Sequence, residues 1–266
     1  MKRILIICFA TLIGFNANAT LLHYGLIGGP SSTWLLNSNV SNIGEELNYK
    51  SSMGGGFGLS VTHNFVEKIG VRLDIMYSMH NQGYTGTLQE SGVTLETYTA
   101  ATHLSYLDLP LMFHLGASNG FYFEVGPQFG FLLGAKEDLT WSDATLLDNR
   151  SGRDIKSDLN SMNIAAVLGL GYNVSIGGLF SLDLGIRLGY GLTDVTKTFT
   201  QADMDANDHG FNNTTSYPND HGFSSIYAHS NSFYHDFSST KTSTYNYTST
   251  SRVFGSFLVG VNMKLP

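Results

Sequence analysis

Apolar and polar residues alternate with a period of two along most of the chain, the mark of strands with two different faces. The clearest run sets Phe180, Leu182, Leu184, Ile186, Leu188, Tyr190 and Leu192 against Ser181, Asp183, Gly185, Arg187, Gly189 and Gly191. A second opposes Phe121, Phe123, Val125, Phe129, Phe131 and Leu133 to Tyr122, Glu124, Gly126, Gln128 and Gly130. A third sets Val71, Leu73, Ile75, Tyr77 and Met79 against Arg72, Asp74, Met76, Ser78 and His80. In a fourth, Ile164, Ala166, Leu168, Leu170, Tyr172 and Val174 face away from Asn163, Gly169, Gly171, Asn173 and Ser175. Weaker runs lie at 22–32, 51–65, 102–115 and 251–265, which brings the total to eight. A helix would not tolerate glycine at every second position, as at 169–171 and 189–191.

The links between these runs alternate in length. Those at 66–68, 117–120 and 176–178 are short, whereas 34–50, 81–101, 135–160 and 193–250 are long. Short turns on one side and long loops on the other predict an all-β fold, an eight-stranded antiparallel up-and-down transmembrane β-barrel with its termini in the periplasm. A soluble periplasmic ligand-binding barrel is the alternative, but it would turn its bulky apolar face inward. Here the second face is glycine, serine and scattered charge, which suits the narrow interior of an eight-stranded barrel. Pro110 and Pro127 fall inside two of the strands. They cannot donate to the ladder, so a bulge or local bend is expected at each.

Composition and the N-terminus sharpen the picture. Charged residues are 13% of the chain, about half the share usual in soluble domains. Lys2 and Arg3, the apolar stretch 4–15 and Ala17-Asn18-Ala19 read as a signal peptide over 1–19, cleaved after Ala19. The mature barrel domain is then 20–266. Cys8, the single cysteine, lies inside the signal and follows Ile7 rather than a small residue, so lipidation is not expected. The exported chain has no disulfides to rely on. Losing Lys2 and Arg3 takes the formal charge from −7 to −9. An acidic chain without basic clusters excludes nucleic acid as a partner.

Some stretches carry a family likeness. Leu104-Ser105-Tyr106-Leu107-Asp108-Leu109-Pro110-Leu111 and Gly126-Pro127-Gln128-Phe129-Gly130-Phe131-Leu132-Leu133-Gly134-Ala135-Lys136 are two of them. Gly169-Leu170-Gly171-Tyr172, Asp183 and Gly191-Leu192-Thr193-Asp194-Val195 are the others. Together they resemble the PorT-like outer-membrane β-barrel family common in Bacteroidota, over about 20–195 and the last strand. The resemblance implies the barrel fold and accounts for prolines at these strand positions. Some members are linked to protein secretion and gliding, which implies an accessory role in secretion. The chain departs from the family in its long segment 196–250 and in its Met263-Lys264-Leu265-Pro266 end, where an aromatic residue is usual.

Candidate chemistry lies in two places. The small-residue face carries Arg72, Asp74, His80, Asp108, His114, Glu124, Asp183 and Arg187, with Lys264 at the end of the last run. Mixed signs on neighbouring strands predict a structural lumen charge network, since unpaired charges away from water are costly; the rival reading is an ion path or catalytic site. The second place is loop 196–250, with its repeat Asn207-Asp208-His209-Gly210-Phe211 and Asn219-Asp220-His221-Gly222-Phe223. His209 and His221 are the metal-ligand candidates, without diagnostic spacing. Tyr217, Tyr227, Tyr234 and Tyr245, set among Ser and Asn, have the composition of adaptable binding surfaces. Gly-x-Ser-x-Gly does not occur, and Gly54-Gly55-Gly56-Phe57-Gly58 lacks the Lys-Ser/Thr of a phosphate loop.

The expectation is a non-enzymatic barrel without cofactor, contacting outer-membrane lipid and an extracellular or envelope protein partner through its long loops. A barrel hydrolase acting on lipid or peptide is the alternative from another class.

Overall fold

The computed structural model describes residues 21–37, 48–90, 93–143, 149–198 and 249–264. The expected signal peptide and nearly all of 196–250 lie outside the described residues, and with them Tyr217, Tyr227, Tyr234, Tyr245, His209 and His221.

Eight long strands close a ring: β1 (Leu21–Leu36), β3 (Met53–Val66), β4 (Ile69–Glu90), β5 (Val93–Gly116), β6 (Phe121–Trp141), β8 (Met162–Gly177), β9 (Phe180–Gly191) and β10 (Ser251–Lys264). Each pairs antiparallel with its neighbour in sequence, and β1 pairs with β10 to close the barrel. Two short strands, β2 (Asn48–Lys50) and β7 (Arg150–Asp154), attach to β4 and β6 above the ring. Closure leaves no ring strand with an open edge, which is what allows a sheet to cross lipid.

The alternation sorts the two faces as read. Leu168, Leu170, Ile186, Leu188 and Leu192 project outward with more than half of their surface open, whereas Arg72, Asp74, Glu124 and Arg187 lie inside. Tyr24, Phe65, Phe121, Tyr172 and Phe180 mark the belt at the short-turn end, and Trp34 and Tyr190 flank Val253 at the other. Aromatic girdles at both interfaces are the signature of such barrels. The outward face turns polar at Asn81, His103 and Asp138, which sets the upper edge of the belt. Gly177 and Gly178 adopt positive φ of 123° and 59°, letting the β8–β9 connection turn within a few residues.

Three expectations are corrected. The described residues of 81–101 are strand rather than loop, with β4 and β5 paired out to Glu90 and Val93, and in 135–160 β6 continues to Trp141 and β7 takes Arg150–Asp154. Polar side chains there mean water outside the sheet, not the end of the sheet. No register shift occurs at the prolines, but the ladder lapses beside each: Leu109 and Pro110 pair with β6 and not with β4, and Gly126 and Pro127 pair with β8 and not with β5, while the β5–β6 shift falls between Ser105 and Tyr106. The inner face is also less uniformly small and polar than expected, since Leu35, Leu104, Met112, Phe254 and Leu258 point into the lumen.

A lipid-facing position should reject charge. Leu168→Lys is expected to lower stability in lipid vesicles by about 2–4 kcal/mol, read from urea titration of the cold-to-boiled migration shift on SDS gels. Unchanged stability would reverse the assignment of faces.

Candidate functional site

The lumen is organised in layers, and each layer follows from which inward positions the register brings to one height. Nearest the short turns, Arg72 on β4 bonds Asp74 at 3.0 Å, Glu124 at 3.3 Å and Asp183 at 2.6 Å. Arg187 on β9 crosses to Asp74 at 2.6 Å and to Glu124 at 2.9 Å. The Tyr122 hydroxyl donates to Asp183 at 2.6 Å, and His114 meets Glu124 at 3.1 Å from the partly open end of the network. Four strands are thereby tied across the lumen, in addition to their backbone ladders.

A second group lies higher. His80 bonds Asp108 at 3.0 Å through Nε2 and Thr33 at 2.9 Å through Nδ1. Arg252, wholly buried, reaches Asp108 at 3.3 Å and stacks over the Tyr106 ring with its guanidinium carbon 4.3 Å from the centroid. Gly130 makes this possible: a Cβ there would lie 2.7 Å from the Asp108 carboxylate and 2.9 Å from Arg252 Nη2. Met112, Ala165, Val167 and Phe254 form one apolar cluster of the interior, and Ile27, Met76 and Leu258 another.

Above the second group the barrel is stoppered. Leu35, Leu104, Tyr106, Leu132 and Ala135 from the wall pack with Ile155, Leu159 and Val195, all at most 5% exposed. Ile155 and Leu159 flank the 3-10 turn Lys156–Asp158, and Val195 follows β9. This stopper is held in place by Asp194, whose carboxylate accepts from the backbone N–H groups of Thr196 at 3.0 Å and Thr250 at 2.9 Å. Asn160 donates to the carbonyls of Asp194 and Thr196. The two ends of the long 193–250 connection are therefore clamped to each other over the mouth.

Beyond the mouth, β2, β4, β5, β6 and β7 form a sheet with its own small core. Tyr84, Tyr98, Ala100 and Leu139 are buried there, with Tyr49 and Trp141 packed against them. Burial pushes the Tyr84 hydroxyl well above its ordinary pKa. On the outward side, His103 bonds Asn81 and Asp138 at 3.1 Å each. The Gly152 backbone N–H donates to Asp138 at 2.6 Å and is the main cause of its carboxyl lying below the usual range.

All eight inward charges named from the sequence lie on the inner face. They fall into two groups: Arg72, Asp74, His114, Glu124, Asp183 and Arg187 in one, His80 and Asp108 in the other. Lys264 does not join either; it is exposed at the end of β10. Arg252 and Thr33 were missed. Arg252 opens the inward series Arg252, Phe254, Leu258 and Asn262, and Thr33 lies one residue past the expected end of the first run. Thr33, His80 and Asp108 are ordered like a nucleophile, base and acid, yet they are 1%, 4% and 2% exposed, with the stopper above them. Among the described residues the stopper covers them, and catalysis would need an approach for substrate. Among the described residues, no group of three or more His, Cys, Asp or Glu could hold a metal ion.

A closed eight-stranded ring with an apolar outer belt, aromatic girdles and a charged interior defines an outer-membrane β-barrel. The chain belongs to the outer membrane protein beta-barrel domain family, whose model matches residues 16–197, and its place is the bacterial outer membrane. No curated protein matches the chain. Among solved structures it is similar to Neisserial surface protein A, at 9% identity over 94% of this chain and 100% of that one, with a TM-score of 0.35. OprG from Pseudomonas aeruginosa matches at 12% identity over 91% and 95%, with a TM-score of 0.32. The outer membrane protease OmpT from Escherichia coli matches at 7% identity over 95% and 99%, with a TM-score of 0.39.

Removing one partner of the lower network strands the others. Arg187→Ala leaves Asp74 and Glu124 short of a cation and should cost about 3–5 kcal/mol, measured as the denaturant midpoint in vesicles. A loss below about 1 kcal/mol, the scale of a solvated surface pair, would show that water fills this layer.

Proposed function

We propose that this protein is a non-enzymatic, non-conducting outer-membrane barrel that presents a surface for binding an extracellular or envelope protein through its long extracellular connections. The observation that carries this reading is the clamp at the barrel mouth. Asp194 ties the two ends of the 193–250 connection together above an apolar stopper, so the barrel ends outside the membrane in a fixed base instead of an opening. The sheet that extends β4, β5 and β6 beyond the belt stands beside that base and has its own buried core. Such a layout favours display over passage: the lumen is filled, and the ordered extracellular backbone is extensive. The Tyr-, Ser- and Asn-rich composition between the clamped ends suits recognition of a protein surface. A structural role in the membrane follows from the same rigidity, and family resemblance alone supports an accessory role in secretion.

The test joins residue 198 to residue 249 through a short Gly-Ser linker, leaving the clamp in place. The shortened barrel is expected to keep its heat-dependent migration while adhesion of cells displaying it to host-matrix or envelope-protein coatings falls to the level of cells without it. Undiminished adhesion would contradict display through this connection. Cleavage of peptide or phospholipid by the purified full-length barrel would overturn the non-enzymatic reading.

A further inference from the structure

At the upper edge of the apolar belt, a line of side-chain hydrogen bonds runs around the outside of the barrel from β3 to β7. Asn81 on β4 donates its Nδ2 to the carbonyl of Met53 on β3 at 2.7 Å, which leaves its Oδ1 as an acceptor. His103 on β5 meets that oxygen through Nδ1 and the Oδ2 of Asp138 on β6 through Nε2, at 3.1 Å each. The other oxygen of Asp138 accepts from the Gly152 N–H at 2.6 Å and from the Ser151 hydroxyl at 2.9 Å, both on β7.

Asp138 stands where the backbone ladder stops holding β7. The β6–β7 register shifts between Glu137 and Leu139, so Ser151 and Gly152 together oppose Asp138, as in a bulge. Gly152 takes a φ of 67°, and its N–H finds the Asp138 carboxylate in place of a ladder carbonyl. Few ladder pairs attach β7, at Lys136, Glu137 and Leu139, so the side-chain bonds are a large part of its fastening. The strand leads directly into Ile155 and Leu159 of the stopper.

His103 therefore lies between two acceptors, an amide oxygen and a carboxylate. A ring with both nitrogens protonated donates to both, whereas a neutral ring has one N–H and must give up one of them. We propose that His103 is a proton-operated tie on the extracellular side: doubly protonated it braces Asp138 against β7, and on losing a proton it loosens β7 and the strap that leads into the stopper. The charged groups facing it are few. Lys136 is its neighbour across the β5–β6 pair, beside Asp138; Asp154 opposes Lys136 on β7; and Lys50 on β2 stands against Gly83, beyond Asn81. Among these side-chain types, histidine is the one whose charge ordinarily changes between about pH 5 and 8. Asp138 bounds the device on the acid side. The Gly152 N–H holds its carboxyl below the usual range, so its bonds are in place above the ordinary carboxylate value and fail only as pH falls through the lowered one. The tie is tightest between that limit and the pH at which the imidazole discharges.

The experiment is hydrogen–deuterium exchange of the full-length barrel in phospholipid vesicles, corrected for the intrinsic effect of pH on amide exchange. His103 and Asp138 are partly open to water, with side chains 44% and 40% exposed, so the effect is that of a solvated pair. Protection of the amides of 150–155 is expected to fall on the order of twofold to fivefold from about pH 5.5 to about pH 8, while the belt strands β8 and β9 stay level. His103→Gln, which has no proton to lose in this range, should show one level of protection at both, and should keep heat-dependent migration as evidence of folding. Nitrogen-15 spectra of histidine-labelled protein give a second reading, with the His103 signal identified by its loss in the variant. That signal should pass from the doubly to the singly protonated form over the interval in which β7 loosens. Wild-type protection that does not change with pH would overturn the proposal. So would a His103→Gln barrel whose 150–155 amides keep the wild-type pH dependence, or a His103 signal that titrates outside that interval.

Discussion

Two guanidiniums and three carboxylates meet inside a barrel too narrow to hydrate them, and much of the molecule is arranged around that constraint. Arg72 and Arg187 each bridge two or more of Asp74, Glu124 and Asp183, and every member is at most 5% exposed. In such a space a charge is tolerable only with partners at bonding distance. The partners come from β4, β6 and β9, so the network can form only when distant strands are at their correct stagger. It therefore acts as a check on register as well as a filler, because a slip by one residue would send every one of these groups into lipid.

The layers above inherit the same logic. Asp108 serves both His80 and Arg252, with Gly130 giving up a side chain to let the pair sit together. Higher still the wall turns to Leu35, Leu104 and Leu132 with Ile155, Leu159 and Val195 laid against them. The two lumen layers pair their charges across the barrel, and the mouth above them is closed mainly by hydrocarbon. The proposed display of the extracellular segments would depend on this, since a base that opened and closed would not hold them.

Much of this was legible in the sequence, for a physical reason. A strand's period is two, so a residue's parity in a clear run assigns it to lipid or lumen, and Arg72, Asp74, Glu124, Asp183 and Arg187 were placed that way. Parity says nothing about partners. That Arg187 meets Asp74, 113 positions away in the chain, depends on the closure and stagger of the ring. Arg252 and Thr33 sit at the ends of weaker runs, where alternation has too few residues to read. The extension of β4 and β5 was hidden because polarity in 81–101 resembles a loop, although outside the membrane both faces of a strand can be wetted. Ile155, Leu159 and Val195 belong to no alternating run, so their place in the stopper is visible only in three dimensions.

The central claim is that this lumen is sealed, and single-channel recording in planar bilayers tests it most directly. Purified full-length barrel inserted into the bilayer should give no discrete conductance steps in molar salt at moderate voltage. Regular steps of porin-like size from the wild-type protein would contradict the account, because ions would then be crossing the layers that Arg72, Arg187 and the stopper are held to close.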